Sequence, residues 1–352
     1  MAQLKSGSTA GGNVILTAAA GSVDNAHISG MAASKLTGAL PAIDGSALTG
    51  NVRSGRKNLI INGGFDVWQR GTSFSGSSEY SSDRWKTQTS GNVGTTTRTT
   101  DAPDTSRYAT KVAITGTAAF MQLGQQTEFA NFHSMRGKTV TLSFWAKGVG
   151  ITSLNSRMRQ GTTTEDEVAV FGAPTLSVQT KTINTTWQKF THTFTIGANA
   201  TAISTDFSAA PLVSGNEIYI AQVQLELGSV ATDFEHRSYG EELALCQRYF
   251  EKSYNSTAVP GIASIQPGWA STFNNASSSA QAPGPTFKVT KRNNPTIVTY
   301  NAVTGASGKA YRVSDAGNKT ITVSHVGQSA IGYINVPSSN GYYYHYTADS
   351  EL

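Results

Sequence analysis

Alternation of apolar and polar side chains with a period of two is the feature that most limits how this chain can fold. Between Val140 and Phe144 every second residue is apolar, whereas Trp145 falls on the opposite face of the same extended run. Further strand-like runs follow at regular spacing as far as residue 227, separated by Gly, Asn and Ser turns. The pattern predicts a β-sandwich or jelly roll over residues 57–240, with one sheet face in the core and the other face available to a ligand.

Composition supports an all-β chain with little helix. Charged residues make up only 14% of the 352 residues, too few for long helices rich in Glu, Lys and Arg. One short helix is expected near 239–252, where Ser238 and Glu241 form a capping box. Beyond it, prolines punctuate short strand-like runs, so residues 241–352 are predicted to form a helix followed by a small β head domain.

Residues 1–56 contain too few large apolar side chains to bury a core of their own. Ser34–Gly38 recurs as Ser46–Gly50, with Leu36 and Leu48 at corresponding positions. Single apolar residues between Gly turns are buried if three chains intertwine, which predicts a thin trimeric shaft. A disordered Gly/Ala/Ser linker is the alternative that this composition leaves open.

The predicted helix carries an apolar stripe of Leu243, Cys246 and Phe250. Such a stripe needs a partner surface, so these residues are candidate trimer contacts together with Leu36 and Leu48. The single cysteine, Cys246, excludes an intramolecular disulfide and a Cys-rich zinc site.

The net charge of +5 comes from scattered lysines and arginines, and no basic stripe with interleaved aromatics is present. Nucleic acid is therefore not an expected partner. The amino-terminal residues lack an apolar signal segment, and no apolar run approaches the roughly 20 residues needed to span a bilayer. We expect neither export by a signal peptide nor membrane insertion.

Several segments resemble tail fibres and receptor-binding proteins of tailed bacteriophages. They are Leu40–Gly50, Asn58–Gly71, the triplet Asp83–Trp85, Glu242–Phe250 and Tyr344–Leu352. The resemblance implies a homotrimer located in the phage tail of the virion and assembled in the host cytoplasm. It also implies that residues 1–56 attach to tail or baseplate proteins and that the distal domains contact the host surface.

The middle segment is also similar to jelly-roll carbohydrate-binding modules of the xylanase-associated type. The likeness lies in the opening Asn58–Phe65, the strand Ser143–Lys147, the pair Trp187–Gln188 and the closing strand Tyr219–Val223. Those modules commonly hold a structural calcium ion. Here Ala221 and Gln222 stand where the acids are expected, and Gly64 removes another. No cofactor is therefore predicted, and a structural calcium ion is left as an open alternative that these substitutions disfavour.

The sequence offers no catalytic constellation: the six histidines lack metal-ligand spacing, and no nucleophile elbow or phosphate loop is present. Exposed aromatic residues are better leads, because sugar rings stack on rigid aromatic faces. The candidate receptor contacts are Trp145, Trp269, Tyr343 and Tyr344. For Trp145 the alternative is packing beneath a loop or a neighbouring subunit, and for the tyrosines it is a seam between subunits.

The prediction is therefore a non-enzymatic phage tail fibre that recognises host-surface glycans. Two alternatives remain at this point: a structural connector or decoration protein, and a short tailspike enzyme that degrades polysaccharide.

Overall fold

The computed structural model describes residues 57–103, 105–164, 171–172, 175–263, 270–272, 280–337 and 341–351, with the backbone alone at 270–272 and 280. Leu36, Leu48 and Trp269 lie outside these residues. By its contacts, the chain from Arg53 to Leu352 forms one compact unit. The division at residue 240 into a jelly roll and a head domain stays a prediction.

Twelve strands up to residue 227 form two antiparallel sheets of the described chain. In chain order they are β1 (Ser73–Ser75), β2 (Ser78–Tyr80), β3 (Lys86–Thr89), β4 (Gly94–Thr99), β5 (Ala109–Ile114), β6 (Met121–Thr127), β7 (Thr139–Val149), β8 (Ser153–Gly161), β9 (Thr175–Thr182), β10 (Gln188–Thr195), β11 (Ala202–Ala209) and β12 (Glu217–Leu227). The first sheet has the order β1-β4-β5-β12-β7-β10, and the second has the order β2-β3-β6-β11-β8-β9. A short helix, α1 (Phe129–Phe132), precedes β7.

The two sheets pack face to face around one apolar core, as the alternation predicts. Val140, Leu142 and Phe144 of β7 are fully buried. The ring of Phe144 lies 4.6 Å from that of Phe207 on β11, which joins the two sheets. Trp85 is also fully buried in this core. The all-β sandwich predicted from the sequence is confirmed.

The helix α2 (Tyr239–Gln247) begins with the predicted capping box: the Ser238 hydroxyl accepts from the Glu241 backbone N–H, and the Glu241 side chain accepts from the Ser238 backbone N–H. It ends earlier than predicted because the residues after it form strand β13 (Phe250–Lys252), which pairs with the last strand of the chain.

The remaining strands build the carboxyl-terminal part. They are β14 (Ala270–Thr272), β15 (Ala280–Pro283), β16 (Thr296–Asn301), β17 (Lys309–Arg312), β18 (Gly317–Thr320), β19 (Thr322–Val326), β20 (Ile331–Val336) and β21 (Tyr342–Asp349). β21 is central, pairing with β13, β14, β16 and β17, while β15, β20 and β19 form a separate sheet. This part has its own apolar core, to which β21 contributes Tyr342, Tyr344 and Tyr346.

Two of the predicted trimer contacts are buried within their own chain. Cys246 is fully buried in a cluster with Ile61, Val67 and Tyr249. Phe250 is 4% exposed, and the Arg70 guanidinium lies over its ring, 3.7 Å from the ring centroid of Phe250. The helical stripe therefore packs against the sandwich, and Cys246 and Phe250 do not form a surface for other subunits. Leu243 is half-buried at the edge of the same cluster.

Candidate functional site

The outer face of the first sheet carries a group of aromatic side chains where β7 and β12 pair. Trp145 and Lys147 point outward, because the alternate residues of β7 fill the core. Tyr219 of β12 lies opposite Lys147 on one side and opposite Lys111 of β5 on the other. Strand pairing therefore sets an aromatic ring between two ammonium groups.

Trp187, just before β10, joins this group from the side. Its ring meets that of Tyr219 edge-on, with 6.2 Å between the centroids. Its indole N–H donates to the Asp101 carboxylate over 3.1 Å. Lys147 donates to the other oxygen of Asp101 over 2.5 Å, and its ammonium lies 4.6 Å from the Tyr219 centroid and 5.4 Å from that of Trp187. Asp101 thus fixes both the lysine and the tryptophan.

Glu217 fixes the opposite end of the group. It accepts a 2.6 Å hydrogen bond from the Tyr219 hydroxyl and a 3.1 Å hydrogen bond from Lys111. We call the seven residues together the aromatic face: Asp101, Lys111, Trp145, Lys147, Trp187, Glu217 and Tyr219.

Both carboxylates of the aromatic face favour the ionised state. The hydrogen bond from Tyr219 is the main cause that lowers the pKa of Glu217, and Lys111 adds to it against a smaller effect of burial. Burial would raise the pKa of Asp101, but the hydrogen bonds from Lys147 and Trp187 outweigh it and the pKa is lowered. At neutral pH both groups accept hydrogen bonds, and neither is a proton donor.

The sequence predicts that this sheet face is available to a ligand, but the part around Thr141 and Ser143 is covered. Thr141 and Ser143 are 1% and 3% exposed, because the segment after β12 folds back over them. The Thr141 hydroxyl donates to the Gly228 carbonyl, and Gln224 donates to the Asp233 carbonyl. Hence the aromatic face occupies only the end of the sheet that this segment leaves open.

Of the predicted receptor contacts in the carboxyl-terminal part, one tyrosine is buried and the other is half-buried. Tyr344 is 1% exposed and belongs to the apolar core of the carboxyl-terminal part, so its assignment as a surface contact is wrong. The reason is the period of two in β21, which places Tyr342, Tyr344 and Tyr346 on the inner face. Tyr343 is half-buried on the other face, stacked parallel to Tyr311 with 6.3 Å between centroids. It lies apart from the aromatic face, and its receptor role stays a prediction.

The sequence reasoning selected Trp145 but missed Trp187 and Tyr219 as site residues. From the sequence, Trp187 was named only as part of the Trp187–Gln188 pair that is similar to carbohydrate-binding modules. The alternation of β12, with Ile218 and Ile220 in the core, was a signal that Tyr219 faces outward.

Among the described residues, no group of three or more His, Cys, Asp or Glu side chains is arranged to hold a metal ion. Asp66, the acid left from the calcium pattern, is acted on by the basic side chains of Arg107 and His236. The positive charge of Arg107 opposes a bound cation. Within the described chain, no helix is long and apolar enough to cross a membrane.

Comparison with known proteins gives structural likeness only. No protein-family model and no curated protein matches the chain. The enzymatically active domain of bacteriophage CBA120 tailspike protein 4 matches 49% of this chain at 16% identity and a TM-score of 0.35; the match covers 21% of the tailspike chain. A CBM4 carbohydrate-binding module matches 48% of this chain and 99% of its own at 20% identity and a TM-score of 0.34. TmCBM61, solved with β-1,4-galactotriose, matches 49% of this chain and 100% of its own at 12% identity and a TM-score of 0.33. Function is inferred below from the site itself.

Proposed function

We propose that this protein binds saccharides through the aromatic face and acts as a non-enzymatic receptor-binding protein of a bacteriophage tail. The observation that carries the binding role is the grouping of Trp145, Trp187 and Tyr219 with two lysines and two ionised carboxylates on one sheet face, where both tryptophans are half-buried and Tyr219 is 7% exposed. An aromatic surface framed by fixed polar groups matches the two sides of a sugar ring: its apolar C–H face and its hydroxyl rim.

The protonation states favour binding over hydrolysis. Glycoside hydrolysis needs one carboxylic acid that keeps its proton near neutral pH and one carboxylate that does not. Asp101 and Glu217 both have lowered pKa values, so the aromatic face offers two hydrogen-bond acceptors and no general acid. This supports binding rather than hydrolysis at the aromatic face.

The phage assignment is supported by the sequence blocks Leu40–Gly50, Asn58–Gly71 and Glu242–Phe250. In this proposal residues 1–56 attach the protein to tail or baseplate proteins, and the distal residues face the host. Three linked copies raise the avidity for a repetitive polysaccharide by orders of magnitude over one weak site. The location is then the tail of the virion.

The test starts with full-length protein on an array of bacterial surface polysaccharides, followed by calorimetric titration of the oligosaccharides that bind. We expect Trp187→Ala to weaken a single site about tenfold or more, the loss of roughly 1.4 kcal/mol of stacking. Tyr333→Ala is the matched control, because Tyr333 is a 40% exposed aromatic in the carboxyl-terminal part, away from the aromatic face.

Equal affinity of the Trp187→Ala and Tyr333→Ala variants, with unchanged melting temperatures, would contradict the site. Two further measurements separate the alternatives. Release of reducing sugar from host envelope material would contradict the non-enzymatic role. Failure of the purified protein to compete with phage adsorption would favour the structural connector.

A further inference from the structure

A cleft of about 460 Å³ that shares no lining residue with the aromatic face lies between the sandwich and the segment that follows β13. Its walls come from the loop 66–72, the edge of β4 and β5, the start of α2 and the loop 256–259. A volume of this size falls in the range of small-ligand sites, roughly 300 to 1,000 Å³.

The charge of the cleft is unbalanced. Three cationic side chains, Arg98, Arg107 and Lys252, line it against a single acid, Asp66. Burial raises the pKa of Asp66, while Arg107 and His236 act in the opposite direction. The positive field in the cleft is therefore opposed by one partly buried acid at most.

Two of the cations in the cleft are exposed and lie beside one aromatic ring. The guanidinium groups of Arg98 and Arg107 lie 4.4 Å and 4.9 Å from the ring centroid of Tyr108. Both arginines are exposed, and neither forms an ion pair with a carboxylate of the described residues. Stacking on an aromatic ring leaves the N–H groups at the edge of a guanidinium able to donate, so these groups can take an anion.

The third cation, Lys252, holds one wall of the cleft in place through hydrogen bonds. Lys252 is 3% exposed and donates to the backbone carbonyls of Gln69, Ser256 and Ala258 over 2.7, 3.0 and 2.5 Å. All three donors of its ammonium are thus used to tie the loop 256–258 to the sandwich. The cleft is closed on this side by bonds within the chain.

An aromatic surface completes the cleft. Tyr239 at the start of α2 is 47% exposed and lines the same space. Burial is the main cause that raises the pKa of its hydroxyl, and Asp83 adds to it, while Arg98 and Arg107 act in the opposite direction. Because Tyr239, Arg98 and Arg107 line the same cleft, a sugar ring on Tyr239 would have its substituents in the space that the arginines line.

We propose that this cleft is a second saccharide site, selective for anionic sugar units whose carboxylate or phosphate is bound by Arg98 and Arg107. Guanidinium groups bind both anions through paired N–H donors, and Tyr239 offers the stacking surface for the ring. The aromatic face would then bind neutral parts of a polysaccharide, and the cleft would bind its acidic residues.

The experiment titrates the full-length protein with three probes: D-galacturonate, its methyl ester and glucose 6-phosphate. We expect the galacturonate to bind, and the uncharged ester to bind at least about tenfold more weakly, because one charge-assisted pair is lost. The phosphate probe shows whether the arginines prefer phosphate to carboxylate. The double variant Arg98→Gln/Arg107→Gln should lose about tenfold to a hundredfold in affinity for both anions.

Arg136→Gln is the matched control, because Arg136 is likewise exposed and lies 5.3 Å from the ring centroid of Phe129, outside the cleft. Equal affinity for galacturonate and its ester would overturn the proposal, as would a double variant that binds like Arg136→Gln. Absence of binding by both anions up to about 20 mM, which covers the millimolar Kd expected of one sugar unit, would also overturn it. Trp187→Ala should leave anion binding unchanged, which separates this site from the aromatic face.

Discussion

Replacement of Glu351 by Gln tests how the carboxyl-terminal residues are held against the sandwich. The Glu351 carboxylate, 5% exposed, pairs with Arg84, whose side chain is 1% exposed, and lies 3.3 Å from an Arg70 nitrogen. The Arg84 guanidinium also lies 3.5 Å from the Tyr249 ring centroid and donates to the Gln126 carbonyl. Glutamine keeps the shape of this contact and removes its charge.

The size of the effect follows from what Arg84 loses and what it keeps. Removing one partner of a buried ion pair typically costs about 3–5 kcal/mol, because the remaining charge stays buried without compensation. Arg84 retains the Tyr249 ring and the Gln126 carbonyl, so we expect a loss near the lower limit, about 3 kcal/mol of the free energy of unfolding. This is a large part of the 5–15 kcal/mol typical of a folded domain.

The assay is equilibrium unfolding in urea, followed by tryptophan fluorescence. With a slope of about 3 kcal/mol per molar urea, the midpoint should fall by about 1 M. Asp315→Asn is the matched control: it removes the same charge from an exposed Arg312–Asp315 pair and should leave the midpoint unchanged. Equal midpoints for the two variants would refute the idea that Glu351 clamps Arg84.

Two further predictions concern acid sensitivity and assembly. His192 is fully buried, and burial, followed by the charge of Lys181, lowers the pKa of its imidazole to about 4. The neutral imidazole therefore contributes its full stabilisation above the unfolded pKa of about 6.5. This contribution is lost as the pH falls from about 6.5 to about 4. Urea midpoints measured at pH 7 and pH 5 should consequently differ more for the parent than for His192→Gln, and equal differences would contradict this. A protein of residues 57–352 should be monomeric by light scattering, and full-length Leu243→Asp should remain trimeric; a trimer formed by 57–352 would contradict the assignment of assembly to the shaft.

The sandwich could be predicted because the alternation that specifies each strand lies within a few consecutive residues. A strand that alternates Val140, Leu142 and Phe144 with polar residues has one favourable way to bury its surface, whichever strands surround it. The alternation of β12 is interrupted once, where its register on β7 shifts between Ala221 and Gln224 with Gln222 at φ 48°. The helix start was predicted because the capping box depends on four consecutive residues.

The aromatic face could be predicted only in part because it depends on register between distant strands. Trp187 and Tyr219 are 32 positions apart, and their contact requires that β10 and β12 pair with β7 from opposite sides. Alternation places Tyr219 outward but does not say which residues stand beside it. The same limit explains Tyr344: the run of tyrosines indicated a strand, but which of its two faces meets the core depends on strands β17 and β20.

The error at the helix explains where assembly has to be sought. An apolar stripe at helical spacing shows that a surface becomes buried, but it does not identify the chain that buries it. Cys246 meets Ile61 and Val67 of its own chain, and a side chain enclosed in that way cannot also stand on a threefold axis. Leu243 is half-buried at the edge of the same cluster. Of the predicted contacts, this leaves Leu36 and Leu48 in the proposed shaft as the main candidates, because the sequence of that segment has too few large apolar residues for a core of its own. A trimer held there would leave three copies of the aromatic face and of the Arg98–Arg107 cleft free to bind one polysaccharide, which is the arrangement from which avidity gains most.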